Sequence, residues 1–181
     1  DRHFYEHFGF NPLAIIRAIK DNYQAGHVVS GASTITMQLS RMVLKHRSRS
    51  YWNKFKEICL AIKLELRLSK GDILKLYATH APMGRNIVGL QAASWHYFGR
   101  APDELSWAEA ALLSVLPNRP SMLYLEKNRK ALLERRDQLL TSLFHKKKLG
   151  ERDYQLARLE PLPTAQREWP AQIPHLLDRL M

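Results

Sequence analysis

Residues 31–41 read Gly31-Ala32-Ser33-Thr34-Ile35-Thr36-Met37-Gln38-Leu39-Ser40-Arg41. A small-residue turn, two hydroxyl side chains and then a mixed apolar run is the pattern of a helix N-terminus, with Ser33 as the expected N-cap. A helix starting there puts Thr34, Gln38 and Arg41 at i, i+4 and i+7, on one face. Helical punctuation continues on both sides. Upstream, Asn11-Pro12 reads as N-cap and first helical position, with Gly26 as the stop. Downstream, residues 51–68 predict a long helix with Phe55, Cys59, Ile62 and Leu66 on its apolar face. Ser69 with Asp72 resembles a capping box, and Ser106 with Glu109 forms a clear one for a helix over 107–115 that Pro117 and Pro120 close. Gly84 and Gly89 bracket a turn before a helix ending near Tyr97, and Gly99 sits at its C′ position. Residues 126–148 predict a long charged helix ended by Gly150. From Glu160 onward four prolines mark a linker. Strand signals are few and no repeat is present, so the fold class is all-α.

Composition narrows the partners. The 181 residues suffice for one domain with a core, and 45% hydrophobic with 25% charged residues is ordinary for a globular chain. A net charge of +11 is not ordinary. It calls for an anionic partner: nucleic acid, a membrane surface or a phosphorylated substrate. The single cysteine, Cys59, excludes an internal disulfide and is expected in the core. No run of 18 apolar residues or signal peptide occurs. The chain opens at Asp1, without methionine and inside a dense motif, which reads as a fragment.

Five segments carry the chemistry. They are Asp1-Arg2-His3-Phe4-Tyr5-Glu6-His7-Phe8-Gly9; the 31–41 stretch; Lys54-Phe55-Lys56-Glu57; Ile73-Leu74-Lys75-Leu76-Tyr77 with Gly84, Gly89 and Tyr97-Phe98-Gly99-Arg100; and Ala108-Glu109-Ala110-Ala111-Leu112-Leu113 with Leu116-Pro117 and Pro120-Ser121. In this order and spacing they resemble the five signatures of the peptidoglycan glycosyltransferases (glycosyltransferase family 51), the glycan-polymerising domain of class A penicillin-binding proteins. The Thr-Met-Gln variant of the second motif looks most like the 1C subgroup.

The resemblance implies a lysozyme-like domain over residues 1–159 and a Pro-rich connector over 160–181 leading to a transpeptidase domain. It implies a membrane anchor upstream and action at the outer, periplasmic face of the cytoplasmic membrane. The implied reaction joins lipid II to a growing glycan held on polyprenyl pyrophosphate, with inversion to a β-1,4 link. Such a reaction needs a carboxylate to take the proton of a poor sugar nucleophile. It needs fixed cationic and hydroxyl donors for the leaving pyrophosphate.

Carried over residue by residue, the general base is a glutamate immediately before Asp1, so the chain as given is expected to be inactive. Asp1, Lys56 and Glu57 are the expected catalytic residues, Lys56 holding pyrophosphate. Ser33, Thr34, Gln38, Arg41, Arg49, His7 and Phe4 are expected toward substrate. Where the family carries arginine in the third motif, this chain has Asn53. Where it carries glutamate and asparagine in the fourth, this chain has Lys75 and Thr79. No cofactor is required. Some relatives use a divalent cation, Mg or Mn, near the pyrophosphate, but no ligand cluster here calls for one. The expected partners are lipid II, the glycan chain and an anionic membrane surface, with no nucleic acid.

Blander readings stand beside these. Taken alone, Glu57 is a surface ion-pair residue, Ser33 a plain helix cap, and the run His145-Lys146-Lys147-Lys148 a solvated helix end favoured by the dipole. Met37, Met42 and Trp52 divide between core and lipid contact. Three other functions compete. A lysozyme-like hydrolase also needs two carboxylates. A zinc peptidase would use His3-Phe4-Tyr5-Glu6-His7, an H-x-x-E-H pattern. A basic helical nucleic-acid binder fits the charge, but the chain has no helix-turn-helix or zinc-finger pattern.

Overall fold

A computed structural model describes residues 1, 3–27, 31–45, 50–84, 87–118 and 129–163. Among these the chain is helical: α1 (Pro12–Ala25), α2 (Ile35–Leu44), α3 (Tyr51–Glu65), α4 (Lys70–His80), α5 (Leu90–Phe98), α6 (Trp107–Val115), α7 (Arg129–His145) and α8 (Glu151–Leu159). A short antiparallel hairpin, β1 (Pro82–Gly84) and β2 (Ile87–Val88), fills the expected turn between Gly84 and Gly89. The helices divide into two compact units, Asp1–Ala81 and Pro82–Met181.

Most helix starts follow the side-chain chemistry. The Asn11 carboxamide accepts from Ala14 N–H with Pro12 in the first turn, and Gly26 closes α1 at φ 67°. The Ser69 hydroxyl accepts from Asp72 N–H at α4. Ser106 and Glu109 form the reciprocal box at α6. Two features were not expected. Residues 151–159 form α8, whose N-cap Gly150 offers no side-chain bond. The first residues of the expected connector are also tied to α7. Arg136, 1% exposed, donates to the Glu160 carbonyl, and Arg129 donates to the carbonyls of Leu162 and Pro163. Residues 164–181, the remainder of the expected connector, lie outside the described residues.

In the first unit α2 packs against α3 and α4. Phe4, Leu39 and Ile73 are buried together, with Ile35, Leu64 and Leu68 against them. A buried polar seam joins the same elements. Thr36 Oγ1 donates to Glu65 Oε1 at 2.7 Å, and Lys70 Nζ donates to Glu65 Oε1 at 2.7 Å and to the His7 carbonyl at 2.6 Å. Gly9, at φ +79°, passes so near α3 that a Cβ there would stand 3.0 Å from the Ala61 carbonyl carbon and the Ile62 nitrogen. A glycine is required by both backbone angle and space.

The expected core face of α3 is corrected. Its buried residues are Glu57 and Ala61, whereas Phe55 and Leu66 are 55% and 71% exposed and Cys59 is exposed. Ile62 of the expected stripe is half-buried, and Glu57 is turned to Arg41 of α2. Met37, by contrast, is fully buried, and Trp52 is exposed.

In the second unit α6 packs against α7 and α8. Ala108, Ala111, Leu140, Leu149, Tyr154 and Ala157 form its core. The Phe144 and Tyr154 rings stack with centroids 4.6 Å apart.

Candidate active site

The site begins at the N-terminus of α2. Thr34, rather than Ser33, is the N-cap. Its hydroxyl accepts from Met37 N–H at 3.1 Å and donates to the Gly9 carbonyl at 2.6 Å. It is buried and occupied in both directions, so the substrate-facing role expected for Thr34 is corrected to an architectural one. Phe4 is corrected likewise: its ring lies in the core with Leu39 and Ile73 and has the Lys70 ammonium 4.7 Å from its centroid.

Asp1 and His7 tie the opening segment to the same helix end. The Asp1 carboxylate accepts from Ile35 N–H at 3.0 Å, one of the amides that a helix start leaves unpaired. His7 Nε2 lies 3.1 and 3.2 Å from the two Asp1 oxygens. A carboxylate only accepts, so Nε2 carries the proton. His7 Nδ1 is buried without a partner, as suits a neutral imidazole. Burial first, and the Lys70 charge second, hold the imidazole below its ordinary pKa of 6.5, against the pull of Glu65. Asp1 therefore links His7 to the first turn of α2.

The charged centre lies between α2 and α3. Arg41 sits near the end of α2, one turn beyond Gln38. Its Nε and Nη2 donate to the two oxygens of Glu57 at 2.6 and 3.0 Å. From one turn earlier on α3, Lys54 Nζ donates to Glu57 Oε2 at 3.1 Å and to Ser33 Oγ at 2.7 Å. The Glu57 side chain is 5% exposed, while Arg41 and Lys54 keep 37% and 36%. Burial opposes ionisation of Glu57, but the hydrogen bonds from Arg41 and Lys54 outweigh it and hold its carboxyl below the ordinary value. The same hydrogen bond raises Arg41. One carboxylate thus anchors two half-exposed cations, one of which also donates to the Ser33 hydroxyl.

Lys56, expected beside Glu57 as the pyrophosphate ligand, is placed apart from the Glu57 carboxylate. It is exposed on another side of α3, its ammonium 5.5 Å from the Trp52 ring centroid. A helix turns about 100° per residue, so the neighbour at i−1 diverges while Lys54 at i−3 shares the face of Glu57. That spacing was available in the sequence and points to Lys54. Gln38 is half-buried, and its Oε1 accepts from Tyr77 Oη at 3.0 Å. Tyr77 is a second residue that the sequence reading did not place in the site. Lys75 and Thr79 are exposed, so these departures from the family pattern face solvent. Arg49 lies outside the described residues.

Comparison with known proteins decides the family. The family model described as Transglycosylase matches residues 1–144. The chain belongs to the transglycosylase family. It is 36% identical over 181 residues to penicillin-binding protein 1C of Escherichia coli, covering 100% of this chain and 23% of that protein. It is 39% identical over 162 residues to penicillin-binding protein 1A of Aquifex aeolicus, covering 90% of this chain and 22% of that one. The full-length match to a 1C protein fits the likeness carried by the second motif. The chain spans about a quarter of the length of these relatives, 23% and 22%. The crystal structure of penicillin-binding protein 1A from Haemophilus influenzae aligns with TM-score 0.50 at 24% identity, over 80% of this chain and 19% of that one. That likeness supports the all-α transglycosylase fold.

Glu57 is already held by two cations, and among the described residues no three His, Cys, Asp or Glu side chains gather as a metal site. The H-x-x-E-H reading fails on geometry too. His3 bonds Glu6 at 2.6 Å while His7 bonds Asp1, in a turn rather than a helix.

Proposed function

We propose that the chain is the glycan-polymerising domain of a class A penicillin-binding protein, acting on lipid II at the outer face of a bacterial cytoplasmic membrane. The observation that carries this reading is the pair of cations, Arg41 and Lys54, fixed around Glu57 beside Ser33 in a chain of the transglycosylase family. In the proposed step the 4-hydroxyl of lipid II attacks the anomeric carbon of the growing glycan. The new C–O bond forms as the old one breaks, and its electron pair leaves on the polyprenyl pyrophosphate. Arg41, Lys54 and Ser33 meet the charge that develops there, with no reorganisation at the moment of reaction. Glu57 acts by holding those cations. A carboxylate kept ionised by two partners is a poor proton acceptor, so the proton of the attacking hydroxyl passes to a carboxylate other than Glu57.

The same observation disfavours the hydrolase. A glycosidase needs a carboxylic acid kept protonated for the leaving oxygen, and Glu57 is pushed the other way. The proposal extends to an upstream membrane anchor and a downstream transpeptidase domain in the full gene product. Among the described residues no helix is long and apolar enough to cross a membrane. The test is product analysis with the full gene product and purified lipid II. Lengthening glycan strands support the proposal; no polymer from lipid II, with shortening of isolated cell wall, overturns it.

A further inference from the structure

Gln38 presents two chemically different ends, and only one of them is occupied. Its Oε1 accepts from Tyr77 Oη at 3.0 Å, while its Nε2 donates to no described residue. The tyrosine is held firmly. It lies one turn after Ile73 on α4, and Ile73, fully buried, packs with Leu39, the neighbour of Gln38 on α2. Burial raises the phenol above its ordinary pKa of 10.0, so the hydroxyl keeps its proton throughout the working range. Donation to Gln38 is its one described side-chain hydrogen bond, so the pairing satisfies a partly buried donor that would otherwise be stranded.

A carboxamide whose oxygen is engaged must turn its –NH₂ away from that partner. Gln38 stands one turn before Arg41, so its carboxamide, with the oxygen turned to Tyr77, belongs to the face of α2 that also carries Arg41. From this arrangement we propose that Tyr77 is a positioning residue, which turns the Gln38 carboxamide so that it offers two N–H donors to the oxygens of a lipid-diphosphate sugar. The inference rests on the transferase reading above and adds to it a group on α4 that does not itself touch substrate. A carboxamide free to rotate would present its oxygen for part of the time. Beside an anionic substrate that orientation is repulsive, so the tyrosine removes a non-productive state rather than adding a contact.

The test is a double-mutant cycle in the full gene product, with lipid II polymerisation and thermal melting measured on wild type, Tyr77→Phe, Gln38→Ala and the pair. Tyr77→Phe keeps the ring and its packing and loses only the donor. It is expected to lower kcat/KM by roughly three- to tenfold, the size of one neutral hydrogen bond, with melting little changed. In the Gln38→Ala background the same change is expected to have no further effect. An equal loss in both backgrounds, or no loss in the wild-type background, would overturn the positioning role. A wild-type protein that makes no polymer would instead overturn the transferase reading beneath it, so the two failures are distinguishable.

Discussion

At the scale of single residues, Glu57 shows how a buried carboxylate is made to serve its neighbours. It gives up hydration to enter the α2–α3 interface and is held ionised there by Arg41 and Lys54. Its folded pKa lies below the ordinary 4.5, so the folded chain binds fewer protons than the unfolded chain in that range. The stability this supplies is full above the ordinary value and is lost as pH falls through the folded one. Glu57→Gln should cost about 1–2 kcal/mol at neutral pH, a charged hydrogen-bonded pair discounted for the exposure of its cations. Between about pH 5 and pH 3 the variant should also lose less stability than wild type, because its own group no longer titrates. Urea melts of both proteins across that range check the difference; parallel acid limbs would show that Glu57 is not held low. What the sequence showed at this scale was uneven. Glu57 and Arg41 were legible as residue types in motifs. Lys56 came from the resemblance to the third motif, whereas helical spacing puts Lys54, at i−3, on the face of Glu57. Thr34 and Phe4 were read as substrate contacts, although a hydroxyl at a helix start and an aromatic ring in an apolar setting have structural uses that satisfy them fully.

At the scale of elements, caps were the most legible feature, because each is a local hydrogen bond between residues three apart. Asn11, Ser69 and Ser106 all cap the helices expected of them. Ser106 does more than cap. Besides accepting from Glu109 N–H, its hydroxyl donates to Glu160 Oε1 at 3.0 Å, linking the start of α6 to the end of α8. Ser106→Ala should therefore cost about 1–2 kcal/mol, at or above the usual price of a lost N-cap. The expected readout is a lower melting temperature together with faster amide exchange over residues 151–163. Unchanged exchange there would mean that the link to Glu160 contributes nothing. α8 itself was missed for a physical reason. It begins at a glycine without a side-chain cap, it is mostly polar, and it buries little beyond Tyr154 and Ala157, too short an apolar row to register as a period. The face of α3 was misjudged for the opposite reason. Phe55, Cys59 and Leu66 of the expected apolar row are exposed, while Glu57 is buried against Arg41.

At the scale of the whole molecule, that outward-facing apolarity is widespread in the first unit. Leu13, Ile16, Ile19 and Tyr23 of α1 are 77%, 64%, 65% and 88% exposed and share one face. The Trp52 and Phe55 rings stack in the open on α3. Together with a net charge of +11 this is the composition of a membrane-interface binder. The chain should bind vesicles containing anionic phospholipid, and release should follow as salt rises toward about 0.5 M, where screening is strong. Replacing Leu13, Ile16 and Ile19 by serine should weaken binding at every salt concentration. Binding that ignores both lipid charge and these substitutions would remove the membrane from the account.

The central claim is that the leaving pyrophosphate is met by the cations fixed around Glu57, and its most direct measurement compares two lysines two residues apart. Lipid II polymerisation is measured for the full gene product carrying Lys54→Ala or Lys56→Ala. Loss of one charge-assisted contact to a developing anion typically costs about 2.7–4 kcal/mol, or roughly 100- to 1000-fold in turnover. That loss is expected for Lys54→Ala, and a change within about threefold for Lys56→Ala, whose ammonium lies 5.5 Å from the Trp52 ring centroid. Near-normal turnover in Lys54→Ala with a collapse in Lys56→Ala would contradict it.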